Sequence, residues 1–253
     1  MPRNNLGPCT VVSVDPGTTS GVLVVSIKPA WLKGQGPATW EGLGNAVTFK
    51  AAYQVGRYPK RFDLDTGRST SLDVRALDDE LLPILAKNQP LLDQGDEFDG
   101  RGRKTQAFYA ILNGEPGKVG RGDLNTVDAG EVLQVRQIAG LLSNYPEAAL
   151  VIEDFQLRTQ NMDREVLSSP RLRLAIEAEE MLHGAGRVPF LQQPGVMRDA
   201  ADDRLKRANL YFPGMEHARD AARHAATFFR ALRADENLRV QAFPRHFATD
   251  WED

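Results

Sequence analysis

One stretch near the start constrains the fold more than any other: Thr10-Val11-Val12-Ser13-Val14-Asp15-Pro16-Gly17-Thr18-Thr19-Ser20-Gly21-Val22-Leu23-Val24-Val25. It reads as strand, tight turn, strand. Val11, Val12 and Val14 are β-branched residues suited to a buried strand. Pro16-Gly17 and Gly21 punctuate the chain, and a second apolar run from Gly21 to Ile27 follows at hairpin distance. Asp15 is the odd residue. A carboxylate at the end of an apolar strand is costly to bury unless it is paired or bound to a metal. The small residues after it leave room for a phosphate or a metal beside the backbone. The alternative is that Asp15 simply opens an Asx-turn.

The 253 residues suffice for one large domain, or a domain with a sizeable insertion. Cys9 is the single cysteine, so no intramolecular disulfide forms, as expected of a reducing compartment. Met1 to Asn5 carries no apolar signal region, and no apolar run approaches the ~20 residues that span a membrane. A cytoplasmic protein without membrane contact is expected. The net charge of −3 does not announce nucleic acid; a metal-binding nuclease, however, must carry carboxylates in its site.

The remaining elements follow from patterning. Cys9 to Asp15, Gly21 to Ile27 and Ala46 to Tyr53 read as three strands in succession. Pro29 to Gly44, rich in Gly and Pro, reads as an irregular loop. Leu72 to Lys87 has helix-like spacing interrupted by Pro83. Asp93 to Lys104 is charged, and Ala107 to Leu112 is a strand or a short helical turn. A helix starts near Asn125-Thr126-Val127-Asp128 and ends at Asn144-Tyr145-Pro146. Ala149 to Ile152 is a buried strand running into Glu153-Asp154. Ser169-Pro170 reads as an N-cap and first helical residue, with the helix continuing to Gly184. Val188 to Gln192 is the last strand. Asp199 to Asn209 suggests a small helix, and His217 to Leu232 the final one. The order is three strands, helix, strand, helix, strand, helix: a mixed α/β sheet covered by helices. If the first and fourth strands are parallel neighbours, Asp15 and Glu153 emerge at one carboxyl edge, where open α/β sheets bind ligands.

Strand alternation forbids Glu153 and Asp154 from facing one site together. Glu153 is the expected functional residue, with Asp154 hydrogen-bonding elsewhere. The plainer alternative is that both end a strand in solvent. In His217-Ala218-Arg219-Asp220-Ala221-Ala222-Arg223-His224, the two histidines and Asp220 line one helix face. The intervening alanines let that helix lie close to a sheet. Asp15, Glu153, His217 and Asp220 then form a set of hard oxygen ligands plus one imidazole. Such a set suits Mg²⁺ or Mn²⁺ better than zinc, and can hold two ions ~4 Å apart for in-line phosphodiester hydrolysis. His224, Asp154 and Thr18 are the supporting or alternative residues.

These motifs resemble those of RNase H-like nucleases, and more narrowly RuvC-like Holliday-junction resolvases of the kind found in bacteriophages. In that family the first strand supplies an Asp followed by a Gly/Thr-rich turn, as in Asp15-Pro16-Gly17-Thr18-Thr19-Ser20-Gly21. The fourth strand supplies a Glu, matching Glu153. The last helix supplies a His or Asp and then an Asp three residues on, matching His217 and Asp220. The resemblance covers residues of about 10–55 and 125–233. It implies a single RNase H-like nuclease domain over 1–253 but says nothing of the stretch at about 56–124, which reads from its length as an insertion or a partner-contacting lobe. It also implies a homodimer that nicks two strands of branched DNA, a four-way junction, with divalent metal. Arg158, Arg164, Arg171, Arg173, Arg198, Arg204, Lys206, Arg207, Arg219 and Arg223 are positioned in sequence to track phosphates; the alternative is a surface of arginines interleaved with carboxylates. Gln192-Gln193-Pro194 is expected to border the site. Asp15-Pro16-Gly17-Thr18-Thr19 also resembles the first phosphate motif of the actin/sugar-kinase fold, although no second Asp-Gly-rich strand pair follows. A non-catalytic DNA-binding relative would leave the acidic set vestigial.

Overall fold

The computed structural model describes residues 7–17, 19–56, 60–71, 129–154 and 164–248. Its strands and helices, in chain order, begin with the hairpin β1 (Cys9–Asp15) and β2 (Thr19–Ile27). Two short helices, α1 (Pro29–Leu32) and α2 (Trp40–Ala46), lead into β3 (Val47–Gly56). A second hairpin, β4 (Lys60–Asp63) and β5 (Arg68–Ser71), follows. After residues 72–128 come α3 (Ala129–Ser143), β6 (Ala149–Glu153), α4 (Arg164–His183) and β7 (Phe190–Gln192). A 3₁₀ turn (Pro194–Asp199) and α5 (Asp202–Arg207) precede the long helix α6 (Glu216–Ala234), with α7 (Glu236–Ala242) and α8 (Pro244–Phe247) behind it.

The seven strands form one mixed sheet in the order β5-β4-β3-β2-β1-β6-β7. β1, β2 and β3 pair antiparallel, whereas β6 lies parallel to β1 and β7 parallel to β6. Alternation divides the central strands between two layers. Cys9, Val11, Ala149 and Val151 belong to the apolar cluster under α6, with Ala218, Ala222, Ala225 and Phe229. Val12, Val14, Leu150 and Ile152 belong to the opposite cluster, with Ile138 and Leu142 of α3 and Ile176 of α4. Asp15 and Glu153 share the parity of Val11 and Val151. Both carboxylates therefore belong to the α6 face, and the parallel pairing of Val14 with Ile152 ends just before them. The mixed α/β sheet and the shared carboxyl edge agree with expectation.

Three expectations need correction. Pro29 to Gly44 is not wholly irregular. Pro29 opens α1, and the Thr39 hydroxyl accepts a hydrogen bond from Gly42 N–H at 3.1 Å to cap α2. Trp31 and Trp40 are thereby buried. Secondly, the insertion begins as sheet. β4 and β5 are joined by a turn in which Asp63 accepts from Asp65 and Thr66 N–H, and Gly67 takes a positive φ of 66°. Thirdly, α4 begins at Arg164, so Pro170 lies inside it at the loss of one backbone hydrogen bond. Ser169-Pro170 imitates a helix start without being one. The segments Leu72–Lys87, Asp93–Lys104, Ala107–Leu112 and Asn125–Asp128 lie outside the described residues.

Candidate metal centre

Gly21 makes the site possible. It stands opposite Asp15 in the β1–β2 ladder. A Cβ there would overlap the His217 carbonyl and lie 2.7 Å from the Ala218 nitrogen. The first turn of α6 thus rests directly on β2, against a residue with no side chain, and Ala218, Ala221 and Ala222 continue that close approach. Gly21, expected as punctuation, is a packing glycine inside β2. The turn after Asp15 is braced separately. Ser20 Oγ accepts from Gly17 N–H at 3.3 Å and donates to Gln134 Oε1 on α3 at 2.5 Å.

Asp15, His217 and Asp220 each bring one ligand atom within 4.8 Å of the others. His217 Nδ1 lies 3.8 Å from Asp15 Oδ2. Glu153 hydrogen-bonds to Asp15. On the far side, His224 Nε2 lies 3.9 Å from Glu153 Oε2. The five residues singled out on β1, β6 and α6 are therefore brought together. Three come from strand ends or the first turn of α6, and two from its second and third turns.

Electrostatics follow from this crowding of carboxylates. Burial, the hydrogen bond to Asp15 and the charges of Asp15 and Asp220 push the Glu153 carboxyl up to about 9. Burial and the Asp15 charge raise Asp220, although Arg223 opposes them. Contact with Asp15 raises His217 against the opposing effect of burial. His224, fully buried, is pushed down to about 4, chiefly by burial. Three carboxylates at this spacing resist simultaneous ionisation without a cation. The donor set fits a hard divalent ion, and Asp15, His217 and Asp220 are the residues that can hold one.

Asp154 faces the opposite way, as alternation requires. It accepts from Arg173 Nη1 at 2.6 Å and from Gln193 Nε2 at 2.8 Å. β7 sorts its residues identically: Glu153 pairs with Gln192 in register, and Gln192 Oε1 lies 3.0 Å from His224 Nδ1. Gln192 thus touches the site while Gln193 supports Asp154. Their strand-end position was the available signal; their particular partners were not evident from sequence.

Several basic residues already have carboxylate partners. Arg173 pairs with Asp154 and Glu177. Arg223 bonds Asp220 and, at 2.5 Å, Asp202, so it holds a site carboxylate in place. Arg204 pairs with Asp199, Lys206 with Asp203 and Arg207 with Glu41. Arg219 lies over the Tyr211 ring at 5.3 Å and donates to Phe212 O. Arg171 is half-buried on α4. Thr18, Arg158 and the side chains of Arg164 and Arg198 lie outside the described residues. Cys9 is buried with its thiol pushed up to about 12, which removes it from thiolate chemistry. Among the described residues, no helix is long and apolar enough to cross a membrane.

Comparison with protein-family models, curated proteins and solved structures finds no match to this chain.

Proposed function

We propose that the protein is a divalent-metal-dependent endonuclease of the RNase H-like type, acting on branched DNA as a RuvC-like junction resolvase. The observation that carries this reading is the convergence of Asp15, His217 and Asp220 within 4.8 Å, with Glu153 bonded to Asp15. The element order around it supports the same reading. An Asp ends the first strand, a Glu ends its parallel neighbour, and the last long helix supplies His and then Asp three residues on.

Mg²⁺, with Mn²⁺ as substitute, is the proposed cofactor, two ions in all; when bound, such ions lower the pKa of water and stabilise a leaving oxygen. The chain's own residues prepare for this. Asp15 is central, touching both Glu153 and His217. Arg223 restrains one oxygen of Asp220 and leaves the other free to ligate. His217 is 41 % exposed and stands at the mouth, facing incoming substrate, whereas His224 is sealed within. Most nearby basic residues, Lys206 included, pair with carboxylates, so any phosphate contact they make competes with those pairs.

The proposed active form is a homodimer, since two symmetric nicks require two sites related by a two-fold axis. The test incubates purified protein with a four-way junction and with linear duplex of the same sequence, in Mg²⁺, Mn²⁺ or EDTA. Metal-dependent nicking of the junction is expected, with sedimentation at micromolar concentration showing a dimer. Absence of cleavage in every metal, or ATP hydrolysis in its place, overturns the assignment.

A further inference from the structure

One buried polar atom has no use in the arrangement described so far. His224 is 0 % exposed. Its Nδ1 lies 3.0 Å from Gln192 Oε1. A carboxamide oxygen only accepts, so Nδ1 carries the proton and Nε2 is a bare lone pair. Nε2 has no hydrogen-bond partner, yet it points at the carboxylate cluster, 3.9 Å from Glu153 Oε2. That separation is too long for a hydrogen bond. It leaves room for one ion that both groups would ligate, because two bonds of about 2.1 Å span at most about 4.2 Å. Donation of the far ring nitrogen to a fixed oxygen, with the near nitrogen free, is the arrangement that metal-ligating histidines adopt.

The groups fall in sequence across the site: His217, Asp15, Glu153, His224, an imidazole at each end of a carboxylate pair. His217 and His224 lie seven residues apart on α6, about 10 Å along the axis, too far to share one ion. We propose that Glu153 and His224 Nε2 form an inner cation position, distinct from the outer one at Asp15, His217 and Asp220, with Gln192 fixing the His224 ring. The inference rests on the metal-dependent reading of the site. An imidazole donor in a sealed position favours Mn²⁺ over Mg²⁺, which prefers oxygen and retains its waters.

The test counts bound Mn²⁺ by calorimetry and electron paramagnetic resonance in the wild type, His224→Ala and Asp220→Asn, with circular dichroism to confirm folding. Two ions are expected in the wild type and one in each variant. A second measurement leaves His224 untouched: Mn²⁺-loaded His217→Ala protein should retain a ¹⁴N coupling in its electron spin echo. His183 and His246, the other two histidines, are engaged with Glu179 and Gly7 O. Two ions in His224→Ala, or no ¹⁴N coupling in His217→Ala, overturns the inner position and leaves the outer one standing. A wild type with one ion, lost only in Asp220→Asn, does the same. A wild type that binds no Mn²⁺ overturns both.

Discussion

Asp15 and Glu153 end neighbouring parallel strands, and burial together with the adjacent Asp15 carboxylate raises the Glu153 carboxyl. With Glu153 held up to about 9, the metal-free fold keeps a proton that the unfolded chain releases near the ordinary value of 4.5. The unfolded state therefore binds fewer protons between those limits, and stability falls as pH rises through them. The slope is on the order of 1 kcal/mol per pH unit at its steepest. Thermal melting of metal-free protein at pH 7, 8 and 9, above the range in which the lowered His224 opposes the trend, should show a falling midpoint. Glu153→Gln should flatten the trend; an unchanged slope in that variant would place the proton elsewhere.

Asp15→Asn tests the centre of the same pair. It removes the charge that Glu153, His217 and Asp220 all feel. Cleavage should be abolished, because a residue that would hold the metal no longer carries a ligating carboxylate. Folding and DNA binding should persist, and the metal-free melting temperature should not fall. A variant that nicks junctions at the wild-type rate would remove Asp15 from the chemistry.

Glu153 and Asp154 are adjacent in sequence and opposite in consequence. Glu153→Gln should inactivate the enzyme. Asp154→Asn breaks the part-buried pair with Arg173 and weakens the bond from Gln193, at a cost of about 1 kcal/mol, or roughly 2–4 °C in a chain of this size. Its cleavage rate should stay near wild type. Inactivity confined to the Asp154 variant would mean that the strand presents its other face.

Much of this site could be read from the residues because it depends on periodicity. Alternation along β1 and β6 places Asp15 with Val11 and Glu153 with Val151, and the spacing 217, 220, 224 defines one helix face. What could not be read depends on contacts between distant segments. Nothing local marks Gly21 as the seat of α6, since a glycine after a turn also serves as a turn residue. Nor does Gln192 announce that its amide will meet an imidazole on another element. Arg223 reads in sequence as a phosphate ligand, whereas in the fold Asp202 and Asp220 both accept its hydrogen bonds. The cap at Thr39 and the turn at Asp63 are local signals masked by the surrounding Gly, Pro and charge.

Gly21→Ala adds one methyl group where the backbone of His217 and Ala218 already lies. No flexible side chain can yield, so α6 must move off β2. Overpacking of this kind costs about 1–3 kcal/mol. Metal affinity should fall further than stability accounts for, because the displacement separates His217 from Asp15. Melting and Mn²⁺ titration on the same preparation check this; wild-type affinity with a lowered melting temperature would mean that α6 shifts as a unit without opening the site.

His217 separates a ligand from a merely charged neighbour. Its imidazole is raised above the ordinary histidine value, mainly through Asp15, so it holds its proton to higher pH than a free histidine. Ligation requires the neutral ring. Cleavage should therefore be present above that raised value and decline as pH falls through it. His217→Ala should lose about 100-fold or more in rate at saturating Mg²⁺. His217→Asp should stay within about tenfold of wild type, because a carboxylate replaces imidazole on a hard cation. Its acidic limb should also move to lower pH, since a carboxylate sheds its proton sooner. Rate profiles from pH 5 to 9 for the three proteins decide the matter. If His217→Asp is as inactive as His217→Ala and the limb does not move, His217 orients the substrate and leaves the metal to Asp15 and Asp220.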